Sequence, residues 1–222
     1  MILPHLLLAS TSPRRRELIA LTGLPVRFSA AGVDETPFPD EDPPAYVLRL
    51  AQSKARACAS QAGAEEWVLA ADTTVADGRQ ILGKPQDAAE AAAMLRQLRG
   101  RTHQVFTALA VLDPAGGRLE TDLCASSVPM RKYIDAEIET YVASGDPLDK
   151  AGAYAIQNGA FRPVAEFSGC YACVVGLPLC HLQRTLGRMN AVPAGDVPQA
   201  CQRHLGYTCP IFARILRCEN IG

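Results

Sequence analysis

The stretch that most constrains this chain is residues 7–16, LLASTSPRRR. Leu6 to Ala9 reads as a short buried strand. Ser12 reads as a helix N-cap, and Pro13 suits the first helical position. The positive end of the helix dipole lies there, so acidic or neutral residues should follow. The chain instead supplies Arg14, Arg15 and Arg16. A helix N-terminus already offers unpaired N–H groups to an anion, and arginines beside it add rigid, multi-donor forks that match phosphate oxygens. A strand, a Ser-rich turn and an arginine-loaded helix start together describe a polyphosphate-binding corner. The same arginines would also suit the solvated face of a surface helix, and spacing alone leaves the two readings open.

The rest of the chain narrows what such a corner could serve. The 222 residues are 48% hydrophobic and 20% charged, which suits a soluble globular protein with one core or two small lobes. A net charge of -1 argues against a broad nucleic-acid footprint but not against one basic pocket. No apolar run has the length needed to cross a membrane. Residues 1–9 lack a basic n-region and read as the first strand rather than a signal peptide, which makes a cytoplasmic protein the expectation.

In chain order, a helix is expected from about Pro13 to Leu21, closed by Gly23, and a strand over Leu24–Phe28. Asp34 and Glu35 then stand in a proline-rich loop, where acidic groups can position a metal or water or simply make a turn. A helix over about 44–61 carries Val47, Ala51, Lys54 and Cys58 on one face, at steps of four, three and four. Lys54 on that inward face either snorkels to the surface or aims its ammonium into a polar cleft. The run WVLAA at 67–71 reads as a central strand covered on both faces and ending at Asp72-Thr73. A carboxylate at the carboxyl end of such a strand stands where open α/β sheets place chemistry, which makes Asp72 the leading catalytic candidate. Gly83-Lys84-Pro85 brings back a second lysine.

Residues 87–99 form a helix with Asp87 as N-cap and Glu90 completing a capping box. Strands over about 103–112 and 118–131 pair across the turn at 113–117, with His103 read as structural. A helix capped by Asp135 follows to Ala143. The loop at 144–160 is glycine-rich and carries Asp149, Lys150, Tyr154 and Gln157. Its glycines permit close backbone approach to a ligand, and Gln157 can both donate to and accept from a base edge. Residues 161–167 and 170–175 read as strands, and a helix runs on to about Met189.

These residues carry a resemblance to the Maf family, the Maf-like nucleoside triphosphate pyrophosphatases. It covers roughly residues 5–189. The matching motifs are S-x-S-x-R-R at Ser10, Ser12, Arg14 and Arg15, A-D-T at 71–73, G-K-P at 83–85, D-K-A-G-A-Y-x-I-Q at 149–157 and V-V-G-L-P-L at 174–179. The resemblance implies a mixed α/β fold with a twisted sheet, flanking helices, two lobes and a central cleft, often as a homodimer. It implies hydrolysis of a nucleoside triphosphate to the monophosphate and diphosphate with a divalent cation (Mg²⁺, Mn²⁺ or Co²⁺); that no nucleic-acid or membrane partner is expected comes instead from the net charge and the short apolar runs. Asp72 matches the proposed general base. Ser10, Arg14, Arg15, Lys54 and Lys84 match phosphate-contacting positions, the two lysines counting with Asp72 as catalytic. Glu35 matches an acidic group near the metal, which Asp72 could also ligate. Arg14, Thr73 and Gln157 match positions linked to base choice.

The form Tyr154-x-Ile156-Gln157 is similar to the branch acting on dTTP and UTP. The chain departs from it at Asn158, where glycine is usual, and at Cys170, where serine is common. Asn tolerates a left-handed backbone, and its side chain stands where it would alter the base pocket. Other expectations are a nucleotide-binding regulator of cell division with little turnover, or a pyrophosphatase of the same fold acting on a modified purine nucleotide. Extra carboxylates around the arginines favour an enzyme over a regulator, because phosphate binding alone gains nothing from them without a metal.

Residues 190–222 lie beyond the resemblance. Pro193, Gly195 and Pro198 mark a linker, and the segment is too short for a core of its own. Six of the eight cysteines follow residue 169. Cys170 and Cys173 have a spacing found in zinc sites, but on a strand they would face opposite ways. The expectation is a docked, metal-free appendage, against the alternatives of a structural zinc or a Cys201–Cys209 disulfide.

Overall fold

In the computed structural model, which describes residues 4–219, strand alternation builds two cores on opposite faces of one sheet. On β1 (His5–Ala9), Leu6 and Leu8 enter one core, and Leu7 and Ala9 the other. On β3 (Glu66–Asp77), Leu69 and Ala71 join the first, and Val68 and Ala70 the second. Helix α2 (Pro43–Ala57) covers the second core with Val47, Ala51 and Ala55. The first is covered by α1 (Pro13–Ala20) and α6 (Leu179–Arg188). Residues 1–3 of the expected main domain and 220–222 of the expected appendage lie outside the described residues.

The sheet is mixed. Its order is β2-β1-β3-β5-β6, with β2 covering Val26–Ser29, β5 Thr102–Asp113 and β6 Arg118–Pro129. β1 runs parallel to β2 and β3; β5 is antiparallel to β3 and β6. β4 (Gln80–Leu82) pairs with the far end of β3. Around that end, α3 (Ala88–Leu98) and α4 (Asp135–Ala143) close a third cluster holding Leu95, Leu98, Tyr133, Ile138 and Tyr154. The expected mixed α/β sheet with flanking helices is the observed one.

Several local expectations change. β3 does not end at Asp72 but continues to Asp77, because β4 and β5 supply its ladder partners. α2 stops at Ala57, and a 3₁₀ turn takes Ala59–Gln61. Glu90 accepts from the Gln86 amide, beside the expected Asp87 cap on the Glu90 amide. Ile134, not Asp135, takes the N-cap of α4, and its amide donates to Glu137. Residues 161–167 form no strand, only a bridge from Val164 to Met130; Pro163 has no N–H to offer a ladder. Residues 170–175 contain a one-turn helix, α5 (Tyr171–Val175), ended by Gly176 at φ +116°. A short apolar run has no periodicity that separates strand from helix.

The appendage adds α7 (Val197–Leu205) and α8 (Phe212–Leu216). Val197 and Ile215 are buried, and Cys201 and Leu205 pack on the first core. Arg184 of α6 fixes the end of the segment. It donates to both Asp122 oxygens at 2.9 and 2.6 Å, and through Nη1 to the carbonyls of Ile215 and Glu219. The eight cysteines are free thiols. Cys124, Cys170 and Cys173 share a buried cluster, so the argument that Cys170 and Cys173 face opposite ways falls with the strand. Among the described residues no helix is long and apolar enough to cross a membrane.

Candidate active site

A cleft of ≈ 820 Å³ opens beside the middle of β3. Its lining includes Ser10, Arg14, Arg15, Glu35, Lys54, Asp72, Thr73, Lys84 and Gln157, so every site residue expected from the sequence reaches one space. Strand alternation decides which neighbour each one meets. Asp72 points to the α2 side of the sheet and Thr73 to the α1 and α5 side.

On the α2 side, the inward face of the helix delivers Lys54 to Asp72. Lys54 Nζ lies 2.6 Å from Asp72 Oδ1 and 2.6 Å from Glu35 Oε1. Lys54 is 8% exposed and Asp72 6%. Burial pushes the Asp72 carboxyl above its ordinary value, and Lys54 and Arg15 pull it back only in part. An ordinary aspartate, with a pKa of about 3.9, is a weak base; burial makes this one stronger. The acidic pair at 34–35 divides. Asp34 accepts from the Thr36 amide and makes the turn, while Glu35 faces the cleft and its carbonyl accepts from the Tyr46 hydroxyl.

On the other side, Ser12 caps α1 as expected, accepting from the Arg15 amide. Arg15 Nε donates to the Gly176 carbonyl at 2.8 Å, and Nη2 to Thr73 Oγ1 at 3.0 Å. A Cβ on Gly176 would stand 3.3 Å from Thr73 Oγ1 and 3.5 Å from Arg15 Nε, at a φ that side chains rarely adopt. Glycine is therefore required for that carbonyl to hold Arg15. Burial lowers the Arg15 guanidinium from its usual value, against the pull of Asp72; an arginine nevertheless stays charged in a protein. Arg14 lies 3.7 Å from Asp149. Among the described residues, Lys84 and Gln157 are exposed to the cleft and pair with no protein group.

The glycine-rich loop is folded tightly beneath the cleft. Gly152, at φ +68°, lies where a Cβ would meet Val75 Cγ1 at 2.9 Å, so the backbone passes against β3 as only glycine allows. Tyr154 is buried, and its hydroxyl meets His103 Nε2 at 2.8 Å. Burial lowers His103 to about 4, which keeps it neutral at pH 7. Asn158 is turned into its own loop. Its Oδ1 accepts from the amides of Phe161 and Ala160, and its Nδ2 donates to Asp146. It does not have a positive φ and does not line the cleft, which corrects the expectation that it alters the base pocket.

Sequence reasoning missed Tyr46 and Thr107. Thr107 lies opposite Thr73 on β5, and only the strand register reveals it.

Among the described residues no three His, Cys, Asp or Glu side chains are grouped to hold a metal. Glu35 and Asp72 are two carboxylates that share one partner, Lys54 Nζ, in the cleft. Mg²⁺ usually binds through one or two carboxylates plus substrate phosphates and waters, so this donor set fits such an ion brought with a polyphosphate.

A family model described as "Maf-like protein" matches residues 5–189. The dTTP/UTP pyrophosphatase of Myxococcus xanthus (strain DK1622) is 53% identical over 175 residues, 78% of this chain and 87% of that protein. The dTTP/UTP pyrophosphatase of Anaeromyxobacter dehalogenans (strain 2CP-1 / ATCC BAA-258) is 48% identical over 187 residues, 83% and 94%. The dTTP/UTP pyrophosphatase of Citrifermentans bemidjiense is 44% identical over 187 residues, 84% and 96%.

Proposed function

Because the chain belongs to the family of Maf-like proteins, we propose that it is a nucleoside triphosphate pyrophosphatase that releases diphosphate from dTTP and UTP. The observation that carries the reading is the buried Lys54–Asp72 pair facing the arginine-loaded start of α1 across one cleft. A triphosphate needs several cationic donors, and Arg14, Arg15, Lys54 and Lys84 supply them. Asp72 orients and deprotonates the water that attacks the α-phosphorus. Burial raises its carboxyl and so makes it a better base, with Lys54 pulling against that rise. Glu35 and Asp72 would hold a divalent cation together with the phosphates. That ion supplies neutralisation of the negative charge developing on the leaving diphosphate. Thr73 and Gln157 meet the nucleoside end. A homodimer, which the family resemblance implies, and a cytoplasmic setting, expected from a first segment that reads as a strand rather than a signal peptide, belong to the same proposal.

The test offers common and modified triphosphates to purified protein with Mg²⁺, Mn²⁺ or Co²⁺ and separates the products. Diphosphate and monophosphate in equal amounts, with dTTP and UTP fastest, is the expected result. Orthophosphate as the primary product, or no turnover with any of the three ions, overturns it.

A further inference from the structure

The hydrogen bonds behind Thr73 have a fixed direction. Thr107 is fully buried, and its hydroxyl donates to the Cys173 carbonyl at 2.8 Å. A threonine hydroxyl has one hydrogen. Toward Thr73 Oγ1, 2.9 Å away, Thr107 can therefore only accept, and the hydrogen between them belongs to Thr73. Arg15 can only donate, and its Nη2 gives a hydrogen to Thr73 Oγ1. The chain runs one way, from Arg15 through Thr73 and Thr107 to the Cys173 carbonyl. Thr73 is left facing the cleft with one acceptor lone pair and no hydrogen to give.

We propose that Thr107 is a specificity-determining positioning residue: by accepting the hydrogen bond of the Thr73 hydroxyl it makes Thr73 an acceptor-only contact for the imide N3–H of uracil or thymine. The inference rests on reading the cleft as a pyrimidine nucleotide site. Phosphate oxygens at neutral pH are acceptors, so Thr73 has nothing to offer the triphosphate. The donors shared by dTTP and UTP are the base N3–H and the 3′-hydroxyl; the 2′-hydroxyl is absent from dTTP. A ligand hydroxyl rotates to donate or accept, and a polarised partner would not discriminate by it. A ring nitrogen is fixed as one or the other. Cytosine carries its donor on the exocyclic amine instead, and in the same pose its N3 sets a lone pair against that of Thr73. Such a mismatch leaves polar groups unpaired in the bound state, which is how a site rejects a near-isostere.

The experiment measures kcat/KM for UTP and CTP by diphosphate release in the parent, Thr107→Val and Thr107→Ser. Valine frees the Thr73 proton to turn into the cleft. The UTP-to-CTP ratio should then fall by about tenfold, which is what one neutral hydrogen bond contributes, mainly through faster CTP turnover. Serine restores the acceptor and should restore the parental ratio. A merely structural role would slow both substrates together and leave the ratio alone, so an unchanged ratio in folded Thr107→Val overturns the inference. Binding of N3-methyl-UTP and 3′-deoxy-UTP to the parent and to Gln157→Ala, where the loss on N3-methylation should persist if Thr73 is the acceptor, tests the contact even where the valine variant does not fold. Weakened N3-methyl-UTP with unaltered 3′-deoxy-UTP is expected; N3-methyl-UTP bound as tightly as UTP overturns it. A parent that hydrolyses neither UTP nor dTTP overturns the reading of the site itself, and the inference with it.

Discussion

Replacing Asp72 with Asn keeps shape and removes charge, so it separates the chemistry of this cleft from its architecture. Asp72 Oδ1 lies 2.6 Å from Lys54 Nζ, and both groups are buried. Removing one partner of a buried ion pair typically costs about 3–5 kcal/mol, because the other charge is left uncompensated. Two features reduce that here. Lys54 keeps Glu35 at 2.6 Å, and burial already disfavours the ionised Asp72, lifting its carboxyl above the usual range. The expected stability change is therefore about 1 kcal/mol or less in either direction, or about 2–4 °C for a chain of this size. The catalytic loss is larger. A positioned proton-transfer group is worth roughly a hundredfold or more, about 2.7 kcal/mol of barrier. Diphosphate release in Asp72→Asn should fall at least about a hundredfold in kcat/KM while the unfolding midpoint moves only a few degrees. Activity within about threefold of the parent would refute the base assignment. A midpoint drop beyond about 10 °C would show instead that the carboxylate is structural.

Four further outcomes are expected, in the cleft and at the anchor of the appendage. The acid limb of kcat/KM should lie above the ordinary carboxylate value of about 3.9, since protonating Asp72 removes the base and burial raises its pKa; a limb at or below that value would assign it to an exposed carboxylate. Asp122→Asn should lower the unfolding midpoint by the equivalent of about 3 kcal/mol, because it strips buried Arg184 of its carboxylate at the anchor of the appendage. Burial pushes Asp122 up, but Arg184, His181 and Arg188 outweigh it and hold its carboxyl low. Its contribution is thus complete above the unfolded value and is lost as pH falls through the lower folded one, so parent and variant should converge only in strong acid. Gln157→Ala should erode discrimination between bases more than it slows the best substrate, whereas Asn158→Gly should lower the midpoint and leave the substrate profile unchanged; a changed profile in Asn158→Gly would return that side chain to the base pocket.

How far the sequence reached depends on the range of the forces involved. Ser12, Pro13 and the arginines declare a helix start by local rules, and α1 begins where they place it. The spacing Val47, Ala51, Lys54, Cys58 puts a lysine on an apolar face, and the structure supplies its reason in Asp72 and Glu35. What failed was set by distant partners. The end of β3 is decided by β4 and β5, neither of which is visible from WVLAA. Residues 170–175 are apolar enough for strand or helix, and packing under the appendage selects the helix. Asn158 is a departure from its family's motif, but its three side-chain hydrogen bonds close a turn. Thr107 carries no local signal, because its meaning lies in the register that pairs it with Thr73.

The extra length of β3 explains why this carboxylate is both buried and reachable. Along one edge, β3 pairs with β1 only as far as Leu69, and β4 takes up the same edge only at Val75. Between them, residues 70–74 have no strand on that side, while β5 continues unbroken along the other. The gap lies directly beyond the carboxyl end of β1, whose turn carries Ser10 and Ser12 into α1. A strand that ended at Asp72 would leave the carboxylate on a mobile loop end, solvated and close to its ordinary pKa. A strand with both edges filled would seal it from any ligand. With one edge held by β5 and the other open, Asp72 is rigid, desolvated and exposed on a single side. Arg14, Arg15 and Lys84 line the same cleft. The placement follows the general rule for ligand sites at the carboxyl ends of parallel strands. Here the switch from parallel to antiparallel pairing, more than a crevice between diverging helices, makes the opening.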